Sequence, residues 1–200
     1  MIKRGDILSS LDPVTTSHSE NFLELRDSPR MASVLLIIHY NYSKPYILFT
    51  KRSSSLISHA GQICFPGGKF VKDDKALYFT ALRETKEEVG LEFMEKDICG
   101  SLEAVRTLTS NYIITPYVTV QDKISKPKIF IDEVQRILDV PLVGLLTTLA
   151  SDRLHGYTCN EDRFIFKHEG EVIWGATASI VKQIYDRIFL RGYMSNSKKV

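Results

Sequence analysis

The sequence predicts a single α/β domain, because short apolar segments typical of strands are interspersed with two long segments of helical periodicity. One helix is predicted over residues 74–89 and ends at Gly90, a residue type that commonly terminates helices. The other spans residues 177–190. Glycine, proline, asparagine and serine separate the strands, as expected for turns. The predicted strands are residues 34–39, 46–51, 62–65, 102–105, 112–120, 164–167 and 172–174.

Three further expectations concern the organisation of the chain. Pro116 lacks a backbone donor and therefore predicts an edge strand or a bulge within residues 112–120. Residues 132–138 are interpreted as a turn of helix. We expect three parts in order along the chain: an N-terminal appendage, partly helical, over residues 1–28; a main domain over residues 29–192; and a C-terminal tail over residues 193–200.

Composition narrows the class of protein. The 200 residues carry 26 basic and 24 acidic side chains, a balance that gives no general attraction to nucleic acid or to a membrane surface. Three widely spaced cysteines argue against a disulfide framework and against a structural zinc site. No signal peptide or apolar run of membrane-spanning length is visible. We therefore expect a cytoplasmic protein with no nucleic-acid or membrane partner, whose ligands have to be inferred from local sites.

The most informative segment is the end of the first predicted helix, which is rich in glutamate. At about 100° per residue, Glu88 lies at about 40° and Glu87 at about 300° from Glu84, so the three carboxylates share one face. An apolar face is offset from it and is predicted to pack on the sheet. The residues of that second face are Tyr78, Leu82, Thr85 and Val89.

Three like charges on one helix face predict a cation site, since their mutual repulsion costs a few tenths of a kcal/mol per pair. Magnesium prefers oxygen ligands and commonly combines one or two carboxylates with substrate phosphates, and manganese can take its place. The strand and the pair Gly67-Gly68 before the helix support this interpretation, because glycines let phosphates approach the backbone. A solvated acidic helix face is the structural alternative, and Lys86 beside the acids fits it.

The segment from Arg83 to Leu91 resembles the Nudix signature, Gly-x5-Glu-x7-Arg-Glu-apolar-x-Glu-Glu-x-Gly-apolar. Fourteen residues separate Gly68 from Arg83 where the signature has thirteen, the early glutamate is replaced by Asp74 or Lys75, and Thr85 occupies an apolar position. The resemblance implies a Nudix α/β/α sandwich around a mixed sheet. It also implies the roles of four residues: Glu84, Glu87 and Arg83 as catalytic residues, and Glu84, Glu88 and Glu87 as metal ligands.

The segment before the helix resembles the additional motif of the coenzyme A diphosphatase branch of Nudix hydrolases. The matching residues run from Leu48 through Arg52 and Gly61 to the Phe65-Pro66-Gly67-Gly68 run, with Ile57 where the motif has its second arginine. Substrate contacts are therefore expected from Arg52, Lys51, Gly67 and Gly68. A further resemblance to this branch is found in the segments around Asn111 and Trp174.

The resemblance implies that the chain hydrolyses coenzyme A or acyl-CoA to 3',5'-ADP and 4'-phosphopantetheine or its acylated form. Two alternatives stay open. The first is a Nudix diphosphatase that acts on ADP-ribose or another nucleoside diphosphate derivative, and the departure at Ile57 favours it. The second is a nucleotide-binding regulator without catalysis, which the presence of Glu84, Glu87 and Glu88 disfavours. Less specific candidates are Glu133 as an accessory acid, His59 as a substrate contact and Cys64 as core filling.

Overall fold

The computed structural model describes residues 2–14, 30–56, 59–107, 110–129, 133–151 and 164–196. Two sheets and four α-helices are present in these ranges, together with 3-10 turns at Lys72–Asp74 and Glu95–Asp97. The helices are α1 (Arg4–Leu8), α2 (Leu77–Val89), α3 (Leu142–Leu146) and α4 (Gly175–Asn196). The strands are β1 (Arg30–Asn41), β2 (Lys44–Arg52), β3 (Ile63–Cys64), β4 (Gly67–Lys69), β5 (Ile98–Ser101), β6 (Val105–Arg106), β7 (Tyr112–Gln121), β8 (Val134–Pro141), β9 (Ala150–Ser151), β10 (Phe164–His168) and β11 (Glu171–Ile173).

The large sheet is mixed, since β1 runs parallel to β7 and antiparallel to its other neighbours. Strands β1 and β2 pair only near their hairpin, where residues 38–41 of β1 face residues 44–47 of β2. Beyond the hairpin the two strands separate. Strand β3 then pairs with β2 through Thr50 and Lys51, and β4 pairs with β1 through residues 32–34. The separated strands thus leave room for the glycine pair in the middle of the sheet.

Helices cover both faces of this sheet, so the predicted α/β/α sandwich around a mixed sheet is confirmed. On one face, α2 buries Leu77, Tyr78, Ala81 and Val89 against Leu35 and other residues of the sheet. On the opposite face, the packing residues come from α1, α3, α4 and the small sheet of β9, β10 and β11. Examples are Ile7, Leu142, Phe166, Val181 and Ile184, all with less than 3% of their surface exposed.

One predicted element and one of two predicted alternatives for another are wrong. Residues 133–138 do not form a turn of helix, because β8 occupies Val134–Pro141 and pairs antiparallel with β2; position 132 lies outside the described residues. Of the two alternatives for the segment with Pro116, the edge strand is wrong, because β7 lies between β1 and the pair β5 and β6. The pairing of β7 with β5 does contain a register shift, opposite Val118 and Thr119. The carbonyl of Pro116 accepts a hydrogen bond from the Leu102 amide, between the ends of β5 and β6. The missing Pro116 donor therefore faces a break between two strands.

Smaller differences concern the limits of elements. The helix predicted from residue 74 begins at Leu77, after a 3-10 turn at Lys72–Asp74. Of the strand predicted at residues 102–105, only Val105 lies in a strand, β6, and residues 102–104 separate β5 from β6. The strands predicted at residues 164–167 and 172–174 are confirmed as β10 and β11, which form a hairpin around Glu169-Gly170. In the described part of the chain, no helix is both long and apolar enough to span a membrane.

The described part of the N-terminal segment, residues 2–14, packs against the main body of the fold. Ile2 and Ile7 belong to the buried cluster beneath α4. Asp12 forms an antiparallel bridge with Ser101 of β5, and Arg187 of α4 donates to the Ser10 carbonyl and to the Asp12 carboxylate at 2.9 and 2.7 Å. The predicted division into three parts stays a prediction.

Candidate active site

Helix α2 brings the glutamates to the glycine pair of β4. The helix ends at Gly90 in a left-handed conformation (φ 66°), as its sequence predicts. Its apolar face packs on the sheet, and Thr85 is buried there with the neighbouring apolar residues. The three glutamates lie beside that face at different depths. Glu88 is 2% exposed, whereas the side chains of Glu84 and Glu87 are 19% and 51% exposed.

Glu88 is the most deeply placed of these acids. Its carboxylate accepts a hydrogen bond from the Gly67 amide at 3.3 Å. Burial raises the pKa of Glu88 to about 8, and the charge of Glu84 adds to this, against the opposing effects of the Gly67 amide and Arg52. A buried carboxylate that resists ionisation in this way is a common property of functional sites.

The second acid, Glu84, faces the adjacent residue of the same strand. A Cβ atom on Gly68 would lie 2.4 to 2.8 Å from the Glu84 carboxyl group, closer than such atoms can approach. Partial burial raises the pKa of Glu84, while the hydrogen bond from Arg83 lowers it and the charge of Glu87 raises it. The carboxyl groups of Glu84 and Glu88 therefore lie next to consecutive glycines.

Gly67 is equally constrained, but by the backbone. A Cβ atom at this position would lie 2.3 Å from the Ser33 carbonyl oxygen and 2.6 Å from the Val34 Cα atom on β1. No side chain can shift to relieve a contact with backbone atoms. Glycine is thus required at position 67 to form the sheet and at position 68 to admit the Glu84 carboxylate.

Arg83 connects three acids. Its Nε and one terminal nitrogen donate to the two oxygens of Asp74 at 2.8 and 2.9 Å, the paired geometry that guanidinium and carboxylate favour. The other terminal nitrogen donates to Glu84 at 2.8 Å and to Glu87 at 3.2 Å. Asp74 is 5% exposed and also accepts from Thr80. Burial raises the pKa of Asp74, but the bonds from Arg83, Thr80 and the Val71 amide outweigh it, and the net pKa is lowered.

The structure therefore identifies Asp74, rather than Lys75, as the acid that faces Arg83. The 3-10 turn places this side chain beneath the first turn of α2, nine residues from its partner along the chain. Sequence spacing alone left these two residues as equal alternatives. The buried Thr80 hydroxyl, which bonds the same carboxylate, is a further contact that the sequence did not indicate.

Arg52 approaches the acids from β2. Its guanidinium lies 3.5 Å from the Glu133 carboxylate and is close enough to Glu88 to lower the pKa of that group. The Nε atom of Arg52 is buried and has no hydrogen-bond partner among the described residues. Glu133 also influences Glu88, whose pKa its charge raises. Glu133, only a weak candidate from the sequence, thus lies beside the predicted site.

The structure does not bring Lys51 together with the glutamates of α2. Neighbouring residues of a strand point to opposite faces, and the Lys51 ammonium lies on the α4 side, 2.6 Å from Glu171. Its predicted role at the substrate stays a prediction. His59 is exposed and hydrogen-bonds Gln62 at 3.0 Å. Ile57 lies outside the described residues.

Cys64 lies near the site, on β3. Burial raises the pKa of its thiol to about 11, and the charge of Glu88 contributes in the same direction. A thiol with so high a pKa is a weak nucleophile at neutral pH, which agrees with core filling.

Asn111 adopts a left-handed conformation (φ 52°), as an asparagine in a glycine-like position can. Gly175 (φ 62°) begins α4, so Thr177 lies inside that helix.

The chemistry of the donor set fits a hard divalent cation. Glu84 and Glu88 offer carboxylate oxygens beside the backbone of the glycine pair. The charge of Glu84 raises the pKa of Glu88, and a cation would relieve this repulsion. In the described ranges, no three acidic, histidine or cysteine side chains already converge as a metal site. The Glu84 and Glu87 carboxylates instead accept hydrogen bonds from Arg83. The predicted metal ligands therefore stay predictions.

A pocket of about 590 Å³ lies on the other side of α2. Phe79, Phe93, Met94 and Lys86 contribute to its wall, and Arg83 and Asp74 reach its border. None of the three glutamates of α2 lines it. The pocket is thus separate from the glycine pair.

Comparisons with known proteins agree with this geometry. The family model that describes the NUDIX domain matches residues 29–141 of the sequence. An uncharacterized Nudix hydrolase, NudL, of Photorhabdus laumondii is 33% identical over 82% of this chain and 88% of that protein. The mitochondrial coenzyme A diphosphatase NUDT8 of Mus musculus is 34% identical over 79% of this chain and 78% of that protein.

Solved structures give the same fold. A MutT/nudix family protein from Enterococcus faecalis superposes with a TM-score of 0.59 at 14% identity, over 86% of this chain and 66% of that one. The MutT protein from Methanosarcina mazei superposes with a TM-score of 0.54 at 18% identity, over 84% and 99% of the two chains. The chain therefore belongs to the Nudix family, and the enzyme class predicted from the sequence, a hydrolase of diphosphate bonds, is confirmed.

Proposed function

We propose that this chain is a Mg²⁺-dependent hydrolase of coenzyme A or acyl-CoA, which it cuts at the diphosphate bond into 3',5'-ADP and 4'-phosphopantetheine or its acylated form. The observation that carries the hydrolytic part is the position of Glu88. Its buried carboxylate lies at the Gly67 amide, next to Glu84 and within the electrostatic influence of Arg52. The substrate is proposed from the motif around Arg52 and from the similarity to the mouse coenzyme A diphosphatase.

Each residue has a role that its surroundings support. Glu84 and Glu88 would hold the cation, with Glu87 as a more exposed helper. When bound, Mg²⁺ neutralises the diphosphate and lowers the pKa of a coordinated water. Arg83 fixes the Glu84 carboxylate through a 2.8 Å hydrogen bond and is itself fixed by Asp74.

The glycine pair and Arg52 serve the phosphates. At Gly68 the strand carries no side chain, so a phosphate can approach the backbone beside Glu84. The Arg52 guanidinium is a planar donor suited to phosphate oxygens. Its present contact with Glu133 is long, at 3.5 Å, and Glu133 is 53% exposed, so a phosphate can replace this partner at small cost.

Product analysis tests the proposal. The purified chain is incubated with coenzyme A, ADP-ribose or nucleoside triphosphates, each with Mg²⁺ or Mn²⁺, and products are separated by anion exchange. We expect 3',5'-ADP to be released from coenzyme A at least about tenfold faster than any other cleavage. A faster cleavage of ADP-ribose would reject the coenzyme A assignment.

The Glu88→Gln variant tests the role of the Glu88 carboxylate. We expect its turnover to fall by about 10²–10⁴-fold with the fold intact, because a carboxamide is a poorer ligand for Mg²⁺. The matched control is Glu92→Gln. The Glu92 side chain is 71% exposed and lies just beyond α2, so we expect this variant to keep its turnover unchanged. Near-normal turnover of Glu88→Gln in saturating Mg²⁺ would remove Glu88 from the site.

A further inference from the structure

A second group of charges lies at the end of β2 and β8, on the face of the sheet opposite α2. Lys51 and Arg136 are directly opposite each other in the antiparallel register, so their side chains share a face. Both contact the same atom, Glu171 Oε1, at 2.6 Å from the Lys51 Nζ and 2.9 Å from an Arg136 terminal nitrogen. Two cations thus share one carboxylate oxygen, and the group carries one net positive charge.

Glu171 cannot satisfy both cations. An ammonium has three donors and a guanidinium has five, whereas here both use a single oxygen. The Arg136 side chain is 51% exposed, and those of Lys51 and Glu171 are 25% and 21% exposed. Among the described residues these two groups have no other hydrogen-bond partner, so their remaining donors can bind a ligand.

The position of this group relates it to the proposed active site. Lys51 directly precedes Arg52, whose side chain is near Glu88 on the other face. Strand β8 pairs with β2 alone among the described strands, so Arg136 lies on a margin strand of the large sheet and Lys51 lies on the strand next to it. Binding at both places requires a substrate with its diphosphate at Arg52 to extend around the end of β2 to Lys51 and Arg136.

We propose that Lys51 and Arg136 bind a phosphate monoester of the substrate, remote from the bond that is cut. This inference rests on the proposed function and concerns its selectivity. Coenzyme A carries such a group at the 3' position of its ribose, whereas dephospho-coenzyme A and ADP-ribose lack it. A phosphate dianion suits the planar fork of Arg136 together with the point charge of Lys51. Glu171 is the internal counter-ion with which the phosphate competes.

Substrate discrimination provides the test. The ratio of kcat/KM for coenzyme A to that for dephospho-coenzyme A is measured in the wild type and in Arg136→Gln, Lys51→Met and Glu171→Gln. We expect the first two variants to lower the ratio by about tenfold, through KM for coenzyme A. Glu171→Gln has the opposite effect, because it removes the competitor and lowers that KM. The matched control is Arg4→Gln, which breaks an exposed ion pair with Asp122 and leaves the ratio unchanged.

A purely structural ion-pair network gives a different result. All three substitutions would then lower the melting temperature and change the rates of both substrates alike. An unchanged ratio in Arg136→Gln and Lys51→Met, with coenzyme A still cleaved by the wild type, overturns this inference and leaves the proposed function in place.

A binding measurement distinguishes a failure of the proposed function from a failure of the proposed anion site. Titration calorimetry compares the affinity for 3',5'-ADP with that for 5'-AMP, which needs no cleavage. If the wild type does not cleave coenzyme A, yet prefers 3',5'-ADP in a manner that depends on Arg136 and Lys51, then the proposed function fails and the anion site stands. Equal affinity for both nucleotides overturns the anion site.

Discussion

The burial of Glu88 predicts an unusual pH dependence of stability in the metal-free protein. The pKa of this group is about 8 in the folded state, against an ordinary value of 4.5. Between these pH values the folded chain keeps a proton that the unfolded chain has released. The contribution of Glu88 to the free energy of unfolding therefore falls as the pH rises from about 4.5 to 8. Above that range the contribution is constant.

The magnitude follows from the difference between the two pKa values, which corresponds to about 5 kcal/mol at most. The Glu88→Gln variant has no proton to lose at this position. Its free energy of unfolding should therefore rise relative to the wild type by up to about this amount between pH 5 and 9. Glu84 also has a raised pKa, but it is common to both proteins and cancels in the difference.

Urea denaturation, followed by circular dichroism in the presence of a chelator, measures this difference at each pH. Glu92→Gln serves as the control and should keep a constant difference from the wild type, since Glu92 is exposed. Addition of Mg²⁺ at pH 8 should stabilise the wild type and not Glu88→Gln. If the stability curves of the wild type and Glu88→Gln run parallel from pH 5 to 9, the burial of Glu88 does not govern its ionisation, and the reasoning fails.

Three other substitutions test the surroundings of the site. Asp74→Asn weakens the hold on Arg83, and we expect turnover to fall by about 10- to 100-fold in steady-state assays. Gly68→Ala places a methyl group against the Glu84 carboxylate and should reduce turnover by a similar factor, with an unchanged circular dichroism spectrum because a side chain can yield. Arg187→Gln, which breaks the contacts with the N-terminal segment, should lower the free energy of unfolding by about 1–3 kcal/mol without altering kcat/KM.

The fold class could be predicted because local signals agreed with the tertiary structure. The periodicity of α2 and the glycine after it are both properties of a short segment, and both are present in the structure. Residues 133–138 show the limit of such signals. Their charged and apolar residues do not distinguish a helix from a half-buried strand, and pairing with β2 decides the outcome.

Pro116 illustrates a second limit. The sequence shows that a donor is missing but not where the missing donor would point. In the structure it faces the break between β5 and β6, so an interior strand tolerates the proline. Neither the break nor its alignment with Pro116 can be inferred without knowing which strands are neighbours.

The sequence predicts that the three glutamates of the candidate site share one helix face, but not how deeply each of them is buried. A helical projection gives Glu84, Glu87 and Glu88 equivalent positions on one face. The structure distinguishes them, because β4 covers Glu88 and leaves Glu87 exposed. The residue that takes the place of the early glutamate was likewise ambiguous, since the choice between Asp74 and Lys75 depends on the geometry of a 3-10 turn.

The glycine pair and the acidic helix depend on each other. Only glycine can occupy position 67, because any side chain there would collide with the backbone of β1. The close pairing of β4 with β1 presents the Gly67 amide to Glu88. Gly68 then leaves the adjacent space to Glu84. Two carboxylates that repel each other are thus kept beside bare backbone by packing of the opposite face of α2, not by mutual attraction. Such an arrangement costs stability in the absence of a cation. In the proposed function, the same cost becomes affinity when a divalent ion and a diphosphate bind.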